Sequence, residues 1–380
     1  MNNLQGKSLD RKKLLADPII VTAIIGIFLF LFLFIVYPLS ILLVDSVYVD
    51  QKITLSVFTR IFQMTAFKKA ITNTLFLGVL SGIFATIIGV LFAYVDAYVD
   101  VGSKLVKKLF NLVSVLPVVS PPFVLSLSAI MLFGRTGFVT RTLFNLSSTK
   151  LYGLPGILLV QTLTFFPVCY LMLKGLLKNI DPSLEEAARS MGASRWKVFT
   201  TVTLPLLLPG LGNAFLITFI ESVADFANPM LIGGNYDTLA TSIYLQLTGA
   251  YDKSGATAMA VVLLTISMGL FILEKYWLER KSVATLTGKA SRERLPMTDK
   301  SVRYPLVTFC TAITIFVLIM YALVPLGSLF KLWGRDYSLS MKWYQYIFKN
   351  RGYRVFLDSM LLSAIASPIT ALLSTMIAYL

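Results

Sequence analysis

The residues with the most chemical reach in this chain are two carboxylates beside a long uncharged run. Glu221 and Asp225 lie four positions apart, so on a helix they share one face, and Asn228-Pro229 follows within a turn. Acidic groups at membrane depth are expensive and face a cavity or a partner. Two readings stay open: Glu221, Asp225 and Asn228 line a translocation path or its gate, or they bond to neighbouring helices near the outer interface. The chain has no histidine, which removes imidazole relays, His-based triads and His-based zinc sites. Cys169 and Cys310 both lie in apolar runs 141 residues apart, so they read as buried thiols rather than a disulfide or metal pair. Catalytic residues, metal ligands and bound cofactors are therefore all expected to be none. Pro117, Pro121 and Pro122 would kink whatever helix contains them, as a moving gate or as a packing irregularity.

The elements that must position these groups are set by composition. Of 380 residues, 56% are hydrophobic and only 14% charged, and the mean hydropathy is +0.77. A soluble domain carries about 25% charged residues, so the chain reads as a membrane protein. Eight uncharged runs are long enough to span a bilayer: 18–44, 70–95, 109–134, 151–173, 198–220, 254–273, 304–330 and 359–380. Such runs must satisfy their own backbone hydrogen bonds in lipid, which makes them helices. They lack the period of two that barrel strands need. The first run is too long for a signal-peptide core and has no A-x-A site after it, so it reads as a retained span.

The net charge is +15. If the N-terminus is cytoplasmic, 20 of the 34 Lys and Arg fall on the cytoplasmic side and 14 outside. The first three outer loops obey the positive-inside rule, whereas the loop holding Lys331, Arg335, Lys342, Lys349, Arg351 and Arg354 does not. The positive charge thus reads as topology and headgroup contact rather than a nucleic-acid surface.

One segment between the fourth and fifth spans carries more information than the rest: DPSLEEAARSMGASRWKVFTTVTLPLLLP, residues 181–209. Asp181 can cap a helix that opens with Pro182, and Ser183 with Glu186 offers an alternative capping box. Leu184, Ala187, Ala188 and Met191 fall on one face of that helix. Gly192 interrupts it, a second amphipathic helix starts at Ala193-Ser194-Arg195-Trp196-Lys197, and Leu204-Pro205 marks a turn at the bilayer surface. Taken alone, this is a capped cytosolic loop.

The whole string is more specific. Glu186-Ala187-Ala188, three residues, Gly192, nine residues, then Val202-Thr203-Leu204-Pro205 resembles the EAA motif of binding-protein-dependent ABC importer permeases, EAA-x3-G-x9-I-x-LP, with Val202 as the one departure. The resemblance implies an all-α, polytopic transmembrane bundle of the type I ABC importer permease fold. It also implies that the loop docks on a cytoplasmic ABC ATPase dimer through Glu186, Ala187, Ala188 and Gly192, with Leu204 and Pro205 joining it to the fifth span. The further partners implied are an extracytoplasmic substrate-binding protein and the lipid of a bacterial plasma (inner) membrane. No G-x-x-x-x-G-K-[ST] string occurs, so this chain is expected to be no enzyme, and ATP would be used by the partner subunit.

Features also recur along the chain. Tyr37-Pro38-Leu39 near the end of the first span is matched by Val324-Pro325-Leu326 in the seventh, and Ala93-Tyr94 by Ala378-Tyr379 at an offset of 285. This predicts a first permease half over 1–278 with six spans, a basic cytoplasmic linker over 279–303, and the start of a second half over 304–380 with two. The expectation is a fragment or early-terminated version of a fused two-half permease; six spans with two extra ones is the competing reading. Pro121-Pro122-Phe123-Val124-Leu125, Leu132-Phe133-Gly134-Arg135-Thr136-Gly137 and the 221–229 string are similar to the ferric-iron importer branch. Phosphorylated sugars, phosphonates and polyamines are the alternative cargoes. An ion-coupled secondary transporter is the alternative class; it would need buried charge spread over several spans and no docking loop.

Overall fold

The structure is a computed structural model that describes residues 18–49, 51–278, 299–349 and 352–379. The basic N-terminal segment and most of the expected 279–303 linker lie outside the described residues. In chain order the helices are α1 (Pro18–Leu31), α2 (Tyr37–Val47), α3 (Ser56–Gln63), α4 (Thr65–Tyr98), α5 (Lys104–Val113), α6 (Leu116–Val119), α7 (Phe123–Phe133), α8 (Leu154–Asn179) and α9 (Pro182–Ser190). They continue with α10 (Arg195–Val198), α11 (Leu204–Ala224), α12 (Ala227–Ile232), α13 (Leu239–Thr248), α14 (Lys253–Leu273), α15 (Lys300–Ser328), α16 (Lys342–Lys349) and α17 (Gly352–Tyr379). Two antiparallel hairpins, β1 (Tyr48–Val49) with β2 (Lys52–Ile53) and β3 (Phe330–Leu332) with β4 (Asp336–Leu339), are the described strands.

Eight helical stretches are long and apolar enough to cross a membrane. Seven fall on the runs expected from the sequence. The third does not: instead of one span over 109–134, the chain forms α5, α6 and α7, and the span-length stretch is Phe123–Leu143. Proline explains the break. Pro117 and Pro122 each start a short helix, where a missing N–H does least harm, and Ser120 between them is extended. Lys104, Lys107 and Lys108 keep α5 polar on one side while Phe110 and Val113 bury the other.

Proline also explains two π-helical turns. Phe32–Val36 joins α1 to α2 two residues before Pro38, and Phe199–Thr203 joins α10 to α11 two residues before Pro205. Widening the turn to i→i+5 removes the clash that a proline ring makes with the preceding carbonyls. Leu204-Pro205 was expected as a turn at the bilayer surface. It lies instead inside one unbroken helical stretch from Arg195 to Ala224, with the Leu204 N–H donating to the Phe199 carbonyl.

Packing divides the chain into two units. The first comprises residues 56–340. At its centre the 34-residue α4 packs along α8 and α11. The contact is close because α4 turns small residues inward. A Cβ at Gly89 would lie 2.5 Å from the Cys169 Cβ and 2.9 Å from the Tyr170 nitrogen, so the two backbones touch there. Phe92, Phe166, Cys169 and Tyr170 close the core around that contact. Both cysteines are free and buried. Helix α15 belongs to this unit: Ser128 donates to the Met320 carbonyl and Trp333 Nε1 to the Met131 carbonyl.

The second unit comprises the segments up to residue 55 and from 341 onward. It holds α1, α2, α16 and α17, and its helices are almost wholly exposed. The order of elements in the chain repeats: a proline-bearing span, a hairpin, an eight-residue amphipathic helix and a long span occur as α1–α2, β1–β2, α3 and α4, and again as α15, β3–β4, α16 and α17.

Gly89→Val should therefore break the α4–α8 seam. Overpacking of this kind costs about 1–3 kcal/mol, so detergent-solubilised variant should unfold at a clearly lower temperature than Gly26→Val, whose Cβ would meet nothing within 4 Å.

Candidate functional site: the loop between the fourth and fifth spans

The segment from Ile180 to Thr203 is held as a rigid corner by local bonds. Asp181 caps α9, its carboxylate accepting from the Ser183 N–H at 2.9 Å; this carboxylate, rather than the Ser183–Glu186 box, is the cap. At the far end the Gly192 N–H donates to the Arg189 carbonyl (2.8 Å) and the Ala193 N–H to the Ala188 carbonyl (3.1 Å). Those paired bonds form a Schellman stop, which requires a left-handed residue, and Gly192 has φ +87°. Ser194 then caps α10, accepting from the Lys197 N–H at 3.3 Å. Stop and restart within three residues fix the angle between α9 and α10.

One face of α9 is anchored. Pro182 and Glu185 are buried. The Glu185 Oε1 accepts from the Tyr98 hydroxyl at the end of α4 (2.7 Å) and from the Thr203 hydroxyl just before α11 (2.8 Å). An aromatic chain reinforces this grip: Trp196 stacks on Phe199, Phe199 meets Tyr94 edge-on at 5.8 Å, and Tyr94 stacks on Tyr98 at 4.6 Å. Arg195 pairs with Asp299, which also caps α15. The Asp299 carboxyl is held below its ordinary value by the Ser301 hydroxyl and N–H, with Arg195 adding to the effect.

The opposite face is open. Glu186 and Ala187 are exposed, Ala188 is half-buried, Gly192 has nothing within 4 Å of its Cβ direction, and Leu184, Met191 and Trp196 stand out from the surface, Met191 at 83% exposure. Leu204 is half-buried and Pro205 exposed at the start of α11. The loop therefore displays apolar side chains on the side away from the bundle. Reading the sequence for Glu186 missed Glu185. The available signal was register: Pro182 and Glu185, three positions apart, share the inner stripe of α9, while Leu184, Ala187 and Met191 share the outer one.

The acidic candidates lie elsewhere in the same unit and behave differently from one another. Asp225 accepts from Gln161 Nε2 (2.8 Å), Asn228 Nδ2 (2.8 Å) and the Asn228 N–H (3.3 Å). Gln161 Oε1 accepts from Ser81 (2.7 Å) and Ser222 (2.6 Å), and Asn228 Oδ1 from Ser126 (2.7 Å). This buried network stitches α4, α7, α8, α11 and α12 together, and Asp225 and Asn228 are consumed by it. Glu221 stands outside it: its Oε2 is buried with no hydrogen-bond partner among the described residues. Among those residues no three His, Cys, Asp or Glu converge as a metal-ligand group.

The fold and the loop define a polytopic helical membrane component with a preorganised, partly exposed loop between its fourth and fifth spans. A comparison with known families agrees: residues 85–282, just over half of the chain, match the family described as binding-protein-dependent transport system inner membrane component. The chain belongs to that family. It is 34% identical, over 97% of its length and 59% of the relative's, to the "Putative ferric transport system permease protein FbpB 1" of Haemophilus influenzae. It is 33% identical, over 97% of its length and 55% of the relative's, to the ferric transport system permease protein FbpB of Actinobacillus pleuropneumoniae. The chain thus spans less than two thirds of these relatives. Among solved structures, a bacterial ABC transporter involved in the import of the acidic polysaccharide alginate shares the fold, with a TM-score of 0.62 at 20% identity over 71% of this chain and 98% of that one.

Because no neighbour crowds Gly192, substitution there acts through backbone conformation alone. A left-handed L-residue costs roughly 1–2 kcal/mol, and Asn tolerates the region best. Gly192→Val should therefore speed protease cleavage and amide exchange across 188–195, with Gly192→Asn falling between it and the parent.

Proposed function

We propose that this chain is the membrane-embedded permease component of an ATP-driven, binding-protein-dependent importer, and that residues 181–205 are its coupling loop. The observation that carries the reading is a loop of EAA pattern, rigid by construction, with one face clamped to the bundle and the other displayed with exposed apolar side chains. A loop with only a local role has no reason to hold Met191 and Trp196 in solvent. On this reading Glu186, Ala187, Ala188 and Gly192 meet a cytoplasmic ATPase dimer, Leu204 and Pro205 pass the displacement into α11, and hydrolysis takes place on the partner.

The loop end is then cytoplasmic, as is the N-terminus, and the opposite end receives a substrate-binding protein. The repeated element order supports a first permease half over 1–278, a linker over 279–303 and the start of a second half from 304. The two ferric transport relatives, each matched over 97% of this chain, support ferric iron as cargo. Of the three acidic-region residues, Glu221 is the candidate path residue, because Asp225 and Asn228 already have their bonding capacity taken up within the bundle.

Ala187→Trp places a bulky side chain on the outer face of α9 without touching the anchored one. It should abolish co-purification of the ATPase and ATP-dependent ferric uptake into proteoliposomes, while the variant's thermal stability stays within ~0.5 kcal/mol of the parent, as expected for an exposed substitution. Normal co-purification and uptake would refute the docking assignment.

A further inference from the structure

The coupling loop is continuous in sequence with α8 and α11, whereas α4 meets it through side chains. That contact is specific. The Tyr98 hydroxyl, at the loop end of α4, donates to Glu185, and Tyr94 one turn earlier meets Phe199. About two turns in from its other end, α4 is fastened just as closely to residues 236–239, which lead into α13. Asn73 Nδ2 donates to the Asp237 carbonyl (2.9 Å), the Tyr236 hydroxyl donates to the Asn73 carbonyl (2.9 Å), and the Leu239 N–H donates to the Thr74 hydroxyl (2.7 Å). Between these joints, from Asn73 to Tyr98, α4 is one uninterrupted helix with no proline, about 38 Å long at 1.5 Å per residue. A helix of that kind moves as a body.

We infer that α4 is a strut linking the coupling loop at one end of the bundle to the 236–239 segment at the other, with Tyr98–Glu185 and Tyr236–Asn73 as its two joints. The inference rests on the coupling-loop reading above. It gives the buried Glu185 a positioning role: through Tyr98 it ties the loop's displacement to a helix that the covalent chain does not reach from the loop. It also gives the far end a way to report engagement of a binding protein back to the loop. Coupling of this kind is reciprocal.

Both joints include a tyrosine hydroxyl, so each can be opened by an isosteric change. In the reconstituted transporter, ATP hydrolysis is measured with and without the iron-loaded binding protein for the parent, Tyr98→Phe, Tyr236→Phe, the double variant and Glu185→Gln. The strut predicts that each single phenylalanine lowers the stimulation by the binding protein at least about fivefold, the lower end of ordinary coupling strengths. Because the Thr203 hydroxyl still holds Glu185 when Tyr98 loses its own, basal hydrolysis and ATPase co-purification should stay at parent values. The double variant should be no worse than the worse single one, because both interrupt the same line. Glu185→Gln, which keeps the accepting oxygen, should retain stimulation. Stimulation unchanged in either single variant, or losses that multiply in the double, would overturn the strut. A parent chain that does not hold an ATPase at all would instead overturn the importer reading on which it rests.

Discussion

The arrangement depends on one buried carboxylate. Glu185 accepts two hydroxyl bonds on a single oxygen, one from the end of α4 and one from the start of the α11 stretch. Burying a carboxylate is unfavourable unless it is hydrogen-bonded, so the loop can sit on the bundle only in the register that brings Tyr98 and Thr203 to it. Once that register is set, the rest of α9 has no freedom. Its outer stripe must face away from the bundle, and Leu184, Ala187 and Met191 are displayed.

The same economy governs the bundle. Close packing of α4 on α8 at Gly89 lets Ser81 reach Gln161, which in turn binds Ser222 and Asp225. In a lipid environment, where burial of apolar surface gives little preference between helix and lipid, small-residue contact and interhelical hydrogen bonds supply the specificity. Within the 56–340 unit, two such devices lie at different heights along the bundle: the polar network around Gln161 and the Glu185 corner. The helix α4 takes part in both.

Much of this was legible in the sequence. Eight uncharged runs located the spans, and the spacing from Glu186 to Pro205 picked out the loop. Gly192 was readable as a break because a left-handed stop needs it. The failures have physical causes. The third span was misplaced because Pro117, Pro121 and Pro122 were expected to kink one helix, whereas they end and restart helices at 116–122. Leu204-Pro205 was read as a turn because a π-helical segment, which accommodates a proline inside a helix, leaves no periodic signature. Glu185 was overlooked beside Glu186 because which of two adjacent acids turns inward depends on Tyr98, which lies 87 positions away. Asp225 and Glu221 looked equivalent at i and i+4, and only their neighbours in the fold distinguish a hydrogen-bonded carboxylate from one whose buried oxygen has no partner among the described residues.

The most direct test of the central claim, that the outer face of α9 is seated on a cytoplasmic ATPase, is site-specific cross-linking. Cys169 and Cys310 are buried, so a single exposed cysteine introduced at Met191 can be read cleanly against one at Tyr251, a strongly exposed residue of the loop between α13 and α14. The account predicts that Met191→Cys forms a cross-link to the ATPase in membranes and that Tyr251→Cys does not. A cross-link from Tyr251, or none from Met191 when the ATPase is bound, would contradict it.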